Sequence, residues 1–458
     1  MVEITQIWDK LSPLRKASLM FLTLGRWTIK AIGYSLFLLL CSIKTYCAAD
    51  DNLSSSPLQL NVLVEEVIRR NPNLDATRLR IQAAHEVVHR VQVLDDPEVM
   101  ITSDQNKFHK TSDFTPMMSY EVSQAIPFPG KLRLKGEIAR QVMLQQQSVE
   151  ITTYRELIRQ TKLLYYQLYT NYVSLRINTE NTGLVNALIE DGMALYRSGK
   201  GEYAEIIKMQ LELQMLEEQR LMLEAETVMF KSMLNALLNR SPTEPLGKPV
   251  PSFSRQFNLS FYQAESIALS SRSELHRMQA MVMEQEKMAQ LARRNYYPDF
   301  IVGAAYERMN NNFDGHVDDA WMLKVGFNLP IWIPEKQARE VREARANAFA
   351  NQKELEGMEA MISGKLKELL AKLKSTEDKI SLYRDGILPK VKEAFSALLS
   401  SYRSGEGKFL LLLDTWRQAF NAELEYERFL SEREIILAEL ERAMGVNLEE
   451  VLCDYTIR

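Results

Sequence analysis

Five histidines and three cysteines limit the chemistry open to this chain of 458 residues. The densest constellation is His85-Glu86-Val87-Val88-His89. Two histidines four apart share one face of a helix and could hold zinc, with the intervening glutamate as general base. A peptidase would also need a third ligand and a cleft, and Asp95 and Asp96 follow too closely and lead into a strand. Gly199-x-Gly201-x-x-Ala204 has the outline of a dinucleotide fingerprint. It lies between two helical patterns instead of after a strand, so the phosphate cradle is missing. Met278, Met281, Met283 and Met288 cluster on one helical segment. Thioethers are soft metal ligands, but packing accounts for such a cluster better. His109 and His316 fall in two polar loops with Asp113, Asp314, Asp318 and Asp319, a composition that surface loops often have. On spacing alone, none of these features earns a catalytic, cofactor-binding or metal assignment.

The elements that must position these residues are written twice. Tyr196-Arg197-Ser198-Gly199-Lys200-Gly201 recurs 206 residues later as Tyr402-Arg403-Ser404-Gly405-Glu406-Gly407. Leu74 and Pro97 recur after 201 residues as Leu275 and Pro298, and Pro127 after 203 as Pro330. The repeat places Glu286, Lys287 and Gln290 where His85, Glu86 and His89 stand, so the fold does not depend on the histidine motif. The expected organisation is a signal peptide over 1–49, a first repeat over 50–240, a linker over 241–252, a second repeat over 253–446 and a tail over 447–458. Pro242, Pro245, Pro249 and Pro251 exclude a helical linker. Each repeat reads as a first helix (roughly 58–94 and 260–295), two strands around a polar loop, a very long helix, a glycine turn and a second long helix.

Heptad spacing carries the helical prediction. Ile206, Met209, Leu213, Leu216, Arg220, Leu223, Thr227, Phe230, Leu234 and Leu237 alternate threes and fours, and a weaker seam runs from Leu412 to Ala443. Lys131–Leu195 reads as near-continuous helix, about 100 Å at about 1.5 Å per residue. Gly199 and Gly405 are placed to fold antiparallel hairpins. The strand segments alternate with period two. Over Ala320–Trp332, Trp321, Leu323, Val325, Phe327, Leu329 and Ile331 oppose Met322, Lys324, Gly326 and Asn328. Phe300 and Val302 oppose Ile301 and Gly303, and Tyr120 and Val122 oppose Ser119 and Glu121. These segments have the length and pattern of membrane-spanning strands, lipid outside and water inside. A hairpin packed on one side of a soluble core is the alternative. Four strands close no barrel and open edges are not tolerated in lipid, so the chain is expected to oligomerise, a trimer giving twelve strands.

Composition is compatible. Net charge is −4, which argues against phosphate-driven nucleic-acid binding. A mean hydropathy of −0.23 excludes a bundle of apolar spanning helices but not β-strands that keep half their residues wet. Arg15, Lys16, Arg26 and Lys30 precede an apolar run, Ala31 to Ile43, and then Tyr46-Cys47-Ala48-Ala49-Asp50, an export signal with Met20 as an alternative start. Its removal would leave one cysteine, Cys453, hence no intrachain disulfide.

This combination resembles the TolC-type outer-membrane efflux channel family, the outer membrane factor of tripartite efflux. The likeness rests on Asn71-Pro72-Asn73-Leu74, Asp95-Asp96-Pro97, Ala125-Ile126-Pro127-Phe128-Pro129-Gly130-Lys131 and the duplicated Tyr-Arg-Ser-Gly turns. The resemblance implies a mainly α fold with a trimeric twelve-stranded barrel and a periplasmic helical tunnel. It implies location in the outer membrane of a Gram-negative cell, contact with its lipid, and partners in a periplasmic adaptor and an inner-membrane pump. No enzyme activity, cofactor or nucleic-acid partner is implied. The Asp-Asp-Pro and Phe-Pro-Gly-Lys wording points to the heavy-metal branch, with drug efflux and type I secretion open. Tyr196, Gly199, Tyr402 and Gly405 would lie in the adaptor-docking tips. Glu205 and Tyr402 would link the halves at a gate, and Asp414 would add negative charge to it. Two positions depart from the family: Gly407 stands where a basic gate partner is expected, with Lys408 beside it, and Leu411 where a second acidic ring is expected. Tyr120, Val122, Phe300, Val302, Trp321, Leu323, Val325 and Phe327 would face lipid. A periplasmic adaptor or a structural coiled coil are the rivals, but neither needs two hairpins with four alternating strands.

Overall fold

The structure, a computed structural model, describes residues 57–104, 117–253, 257–310 and 317–448. The expected signal segment, His109, Asp113, Asp314, His316, Cys453 and the last ten residues of the tail lie outside these. The chain divides into a main unit, residues 58–244 and 248–458, and a small one, residues 1–57 and 245–247. Of the small unit only Pro57 and residues 245–247 are described; everything below concerns the main one.

The main unit is largely helical. Its order is α1 (Leu60–Arg70), α2 (Pro72–Arg90), β1 (Glu98–Asp104), β2 (Met117–Ile126), α3 (Lys131–Arg197) and α4 (Tyr203–Leu237). Then follow α5 (Phe261–Ser271), α6 (Ser273–Arg294), β3 (Phe300–Asn310), β4 (Val317–Phe327), α7 (Gln337–Leu382), a π-turn (Tyr383–Ile387), α8 (Leu388–Arg403) and α9 (Phe409–Met444). α3 has 67 residues, about 100 Å of helix at about 1.5 Å per residue. The heptad seam of α4 holds, since Ile206, Met209, Leu216, Leu223 and Leu234 are buried and no seam member is exposed.

Three details differ from the sequence reading. The helices expected over 58–94 and 260–295 are each broken in two. Asn71 takes an extended backbone because Pro72 disfavours the helical region before it, and its side chain caps α2 by accepting from Asn73 N–H at 3.0 Å. Arg272 makes the corresponding break without a proline. Both breaks are tied across to the end of a long helix: Asn71 Nδ2 donates to the Leu237 carbonyl, and Arg272 Nη1 to the Ala443 carbonyl. Second, β4 ends at Phe327 although alternation continues to Ile331. Pro330 has no N–H to extend the ladder, and Asn328 turns back to pair with Asp299. Third, the long helix of the second half is interrupted at the π-turn. Pro389 cannot donate to the Asp385 carbonyl and its ring crowds it, so the backbone widens and Leu388 N–H reaches back to the Tyr383 carbonyl.

The four strands form one antiparallel sheet in the order β1-β2-β3-β4, with β2 and β3 joining the two halves. The register places Val99, Ile101, Tyr120, Val122, Phe300, Val302, Trp321, Leu323, Val325 and Phe327 on one face. All ten are exposed, Trp321 by 80% and Leu323 by 86%. On the opposite face Lys324 reaches Glu121 at 2.6 Å, across Gly303 and Ala305 of β3, where small residues leave room for the bridge. The root of the sheet is fixed by Asp299, whose carboxylate accepts from Phe128 N–H (2.6 Å) and buried Lys131 Nζ (2.8 Å).

Val250 and Ser252 are pinned against α3. The Tyr165 hydroxyl donates to the Val250 carbonyl at 2.6 Å and receives Val250 N–H at 3.1 Å, and Tyr166 donates to the Ser252 carbonyl at 2.7 Å.

Candidate functional site

Two glycine turns end the two long helical hairpins. After α3, Gly199 adopts φ +75, and after α8, Gly405 adopts φ +80, a conformation favouring glycine. The turns are built alike. Gly199 N–H returns to the Tyr196 carbonyl and Gly405 N–H to the Tyr402 carbonyl, while Ser198 and Ser404 bond back to Leu195 and Ser401. The turns also meet, because a side chain at Gly405 would run into Lys200.

Beyond the turns the hairpins share one apolar cluster. Val185, Leu188 and Leu195 of α3 pack with Ile206, Met209 and Leu216 of α4, Tyr402 of α8, and Phe409, Leu412 and Trp416 of α9. Into this cluster goes the Tyr402 side chain, 2% exposed. Its hydroxyl donates to Glu205 Oε2 at 3.2 Å, so the structure brings together two of the expected site residues. Burial, reinforced by the Glu205 charge and hydrogen bond, pushes the Tyr402 hydroxyl well above its ordinary range. It therefore stays protonated and remains a donor at neutral pH. Gly192 makes the seat: a Cβ there would approach the Tyr402 oxygen to 3.2 Å.

Close to the turns, Arg403, Arg417 and Trp416 also link the hairpins, and none of these links was visible in the sequence. Arg403 Nε donates to Asp191 at 2.8 Å. Arg417 pairs with Glu212, a carboxylate only 6% exposed. Trp416 Nε1 donates to Asn181 Oδ1 at 3.0 Å. The partners are separated by over 200 residues, so no local spacing announces them; only the 206-residue repeat could have directed attention to both hairpins together.

The departure at Gly407 has a steric reason. A Cβ there would stand 2.6 Å from Tyr402 N and 2.8 Å from its Cα. Gly407 N–H also donates to the Ser401 carbonyl at 2.9 Å. This turn has no room for any side chain at 407; Arg403 and Arg417 are basic residues that pair across the hairpins. Lys408 is exposed at the start of α9.

The other expected residues lie apart from this pair. Asp414 is exposed on α9 and accepts from Gln418 Nε2 at 2.8 Å; it does not join Glu205 and Tyr402. Tyr196 is half exposed and packs on Tyr203 with ring centroids 5.8 Å apart. Leu410 and Leu411 are exposed beside the turn. Between α4 and α9 runs a groove of about 310 Å³, lined by Met215, Leu216, Met222, Trp416, Arg417 and Phe420.

Among the described residues no cluster of three or more His, Cys, Asp or Glu could hold a metal ion, and no helix is long and apolar enough to cross a membrane. His85 and His89 are exposed. Of the four methionines, Met278 is buried in the apolar core and Met281 packs against it, as ordinary helix packing requires.

Residues 265–446 match the model of the outer membrane efflux protein family. No curated protein matches the chain significantly. Among solved structures, the outer-membrane channel OprN superposes with a TM-score of 0.73 at 16% identity, over 85% of this chain and 90% of its own. CusC, described as forming a transmembrane channel, gives 0.73 at 16% identity over 87% and 95%. The outer membrane protein VceC from Vibrio cholerae gives 0.73 at 14% over 85% and 96%. At these identities the likeness is one of fold.

Proposed function

We propose that this chain, whose residues 265–446 match the model of the outer membrane efflux protein family, is the outer-membrane exit duct of a tripartite efflux system. It performs no chemistry; substrate passes through water, and an inner-membrane pump reached through a periplasmic adaptor supplies the energy.

The observation that carries this reading is the sheet. An exposed face that is apolar apart from Gln124 over its central part lies opposite a face bearing the Glu121–Lys324 pair. A row of Tyr120, Tyr306 and Trp321 toward one end and the Phe300–Phe327 pair toward the other resemble the aromatic girdles of spanning barrels. β1 and β4 have no outer neighbour among the described strands. Three copies joined edge to edge would give twelve strands and no open edge, in keeping with a duplicated chain of two repeats over 50–240 and 253–446. The eight residues from Tyr120 to Phe327 named above are then the lipid contact.

The hairpin turns carry the second part. Tyr196, Gly199, Tyr402 and Gly405 form the adaptor-docking tips, and Glu205–Tyr402 is one latch of a gate. Asp414, exposed in the single chain, faces the axis of the trimer and concentrates negative potential there. Heavy-metal cations are the substrate class we favour, on the Asp95-Asp96-Pro97 and Phe128-Pro129-Gly130-Lys131 wording. Export assays in cells lacking the native duct test this: loss of metal tolerance restored by the chain supports it, and restoration of drug or protein export alone replaces that substrate.

A further inference from the structure

We infer that His85 and His89 form a two-imidazole binding site for one divalent transition-metal cation, of the zinc, nickel or copper(II) class, on the exposed face of α2. Two of the chain's five histidines stand four residues apart on one regular helix. The spacing puts their side chains one above the other. The rings already face each other, with centroids 4.9 Å apart and planes at 65°. Both residues are exposed, so their χ angles are free to turn one nitrogen of each ring toward a shared ion at about 2.0–2.1 Å. Glu86 Oε1 lies 3.7 Å from His85 Nδ1 and adds negative charge beside the pair.

The site is open. No third protein ligand is available among the described residues, so water or an incoming ligand fills the remaining positions. Glu86 lies on an exposed surface with 82% of its side chain accessible. The HExxH spelling therefore gives a cation site and not a peptidase cleft. The second half, with Glu286 and Gln290 at the matching positions, has no such pair. Because α2 ends at Arg90 and β1 starts at Glu98, a bound ion would clamp the last turns of the helix that feeds the sheet. This proposal does not depend on the channel reading.

The test is calorimetric titration of the purified full chain, stripped with a chelator, with zinc and nickel chloride, alongside copper(II) electron paramagnetic resonance. We expect one cation per chain from this site, a copper signal coupled to two imidazole nitrogens, and uptake weakened by roughly tenfold or more in H85Q/H89Q. H276Q should bind as the native chain does. Unchanged affinity and stoichiometry in H85Q/H89Q, or no uptake by the native chain at micromolar free cation, would overturn the site.

Discussion

Tyr402 is the residue on which the hairpin ends converge. Its ring is buried in the shared cluster and its hydroxyl reaches a carboxylate on the other hairpin. A hydrogen bond to a charged acceptor contributes about 1.5–3 kcal/mol. Tyr402→Phe keeps the ring and removes that bond, so the link between the hairpins should weaken by about that amount while thermal stability falls only modestly. Gly192→Ala should act in the same direction, because its methyl presses on the hydroxyl from 3.2 Å. Gly407→Ala tests steric exclusion. A Cβ 2.6 Å from backbone nitrogen must displace the turn, and a loss of roughly 1–3 kcal/mol is expected in denaturant or thermal unfolding. An unperturbed midpoint would show that the turn has slack. Glu205 and Tyr402 were legible because the resemblance names their positions. Gly192, Asp191 and Glu212 were not, since their roles exist only once helices distant in sequence lie side by side.

Periodicity made the elements legible. The heptads of α4 and α9 and the period-two strands each encode which face is buried or exposed, and the register places the expected apolar residues on one face. The breaks at Asn71 and Arg272 were hidden, because what holds them is a carbonyl at the far end of another helix. Proline marks only the first. Between α3 and α9, Glu156 meets Arg159 and Arg442. Burial opposes ionisation of Glu156, but hydrogen bonds from Arg159 and Gln160 and the charges of Arg159 and Arg442 outweigh it and hold the carboxyl down to about 2. A depressed carboxylate stabilises the fold above its unfolded pKa, and that contribution is lost as pH falls through the folded one. Glu156→Gln should therefore melt below the native chain at neutral pH, and the gap should close as pH falls from about 4.5 toward about 2. A gap independent of pH would remove the ionised carboxylate from the account. On the sheet, a double-mutant cycle of Glu121→Gln and Lys324→Met should give a coupling of about 0.2–1 kcal/mol, as for a partly exposed pair; zero coupling would mean that the bridge only fills space.

At the scale of the whole molecule, modest hydropathy and the absence of an apolar spanning helix among the described residues are both compatible with a membrane location. The sheet carries a large exposed apolar face, and in the proposed duct assembly closes its edges. The proposed duct further requires that the two hairpin turns restrict passage and that the Glu205–Tyr402 bond is part of the restriction. Single-channel recording of the purified native chain and of Tyr402→Phe in a planar lipid bilayer tests this most directly. The account predicts a heat-modifiable trimer with small, ion-conducting steps in the native chain and larger or longer-lived openings in the variant. A soluble monomer that conducts nothing in either form would contradict it.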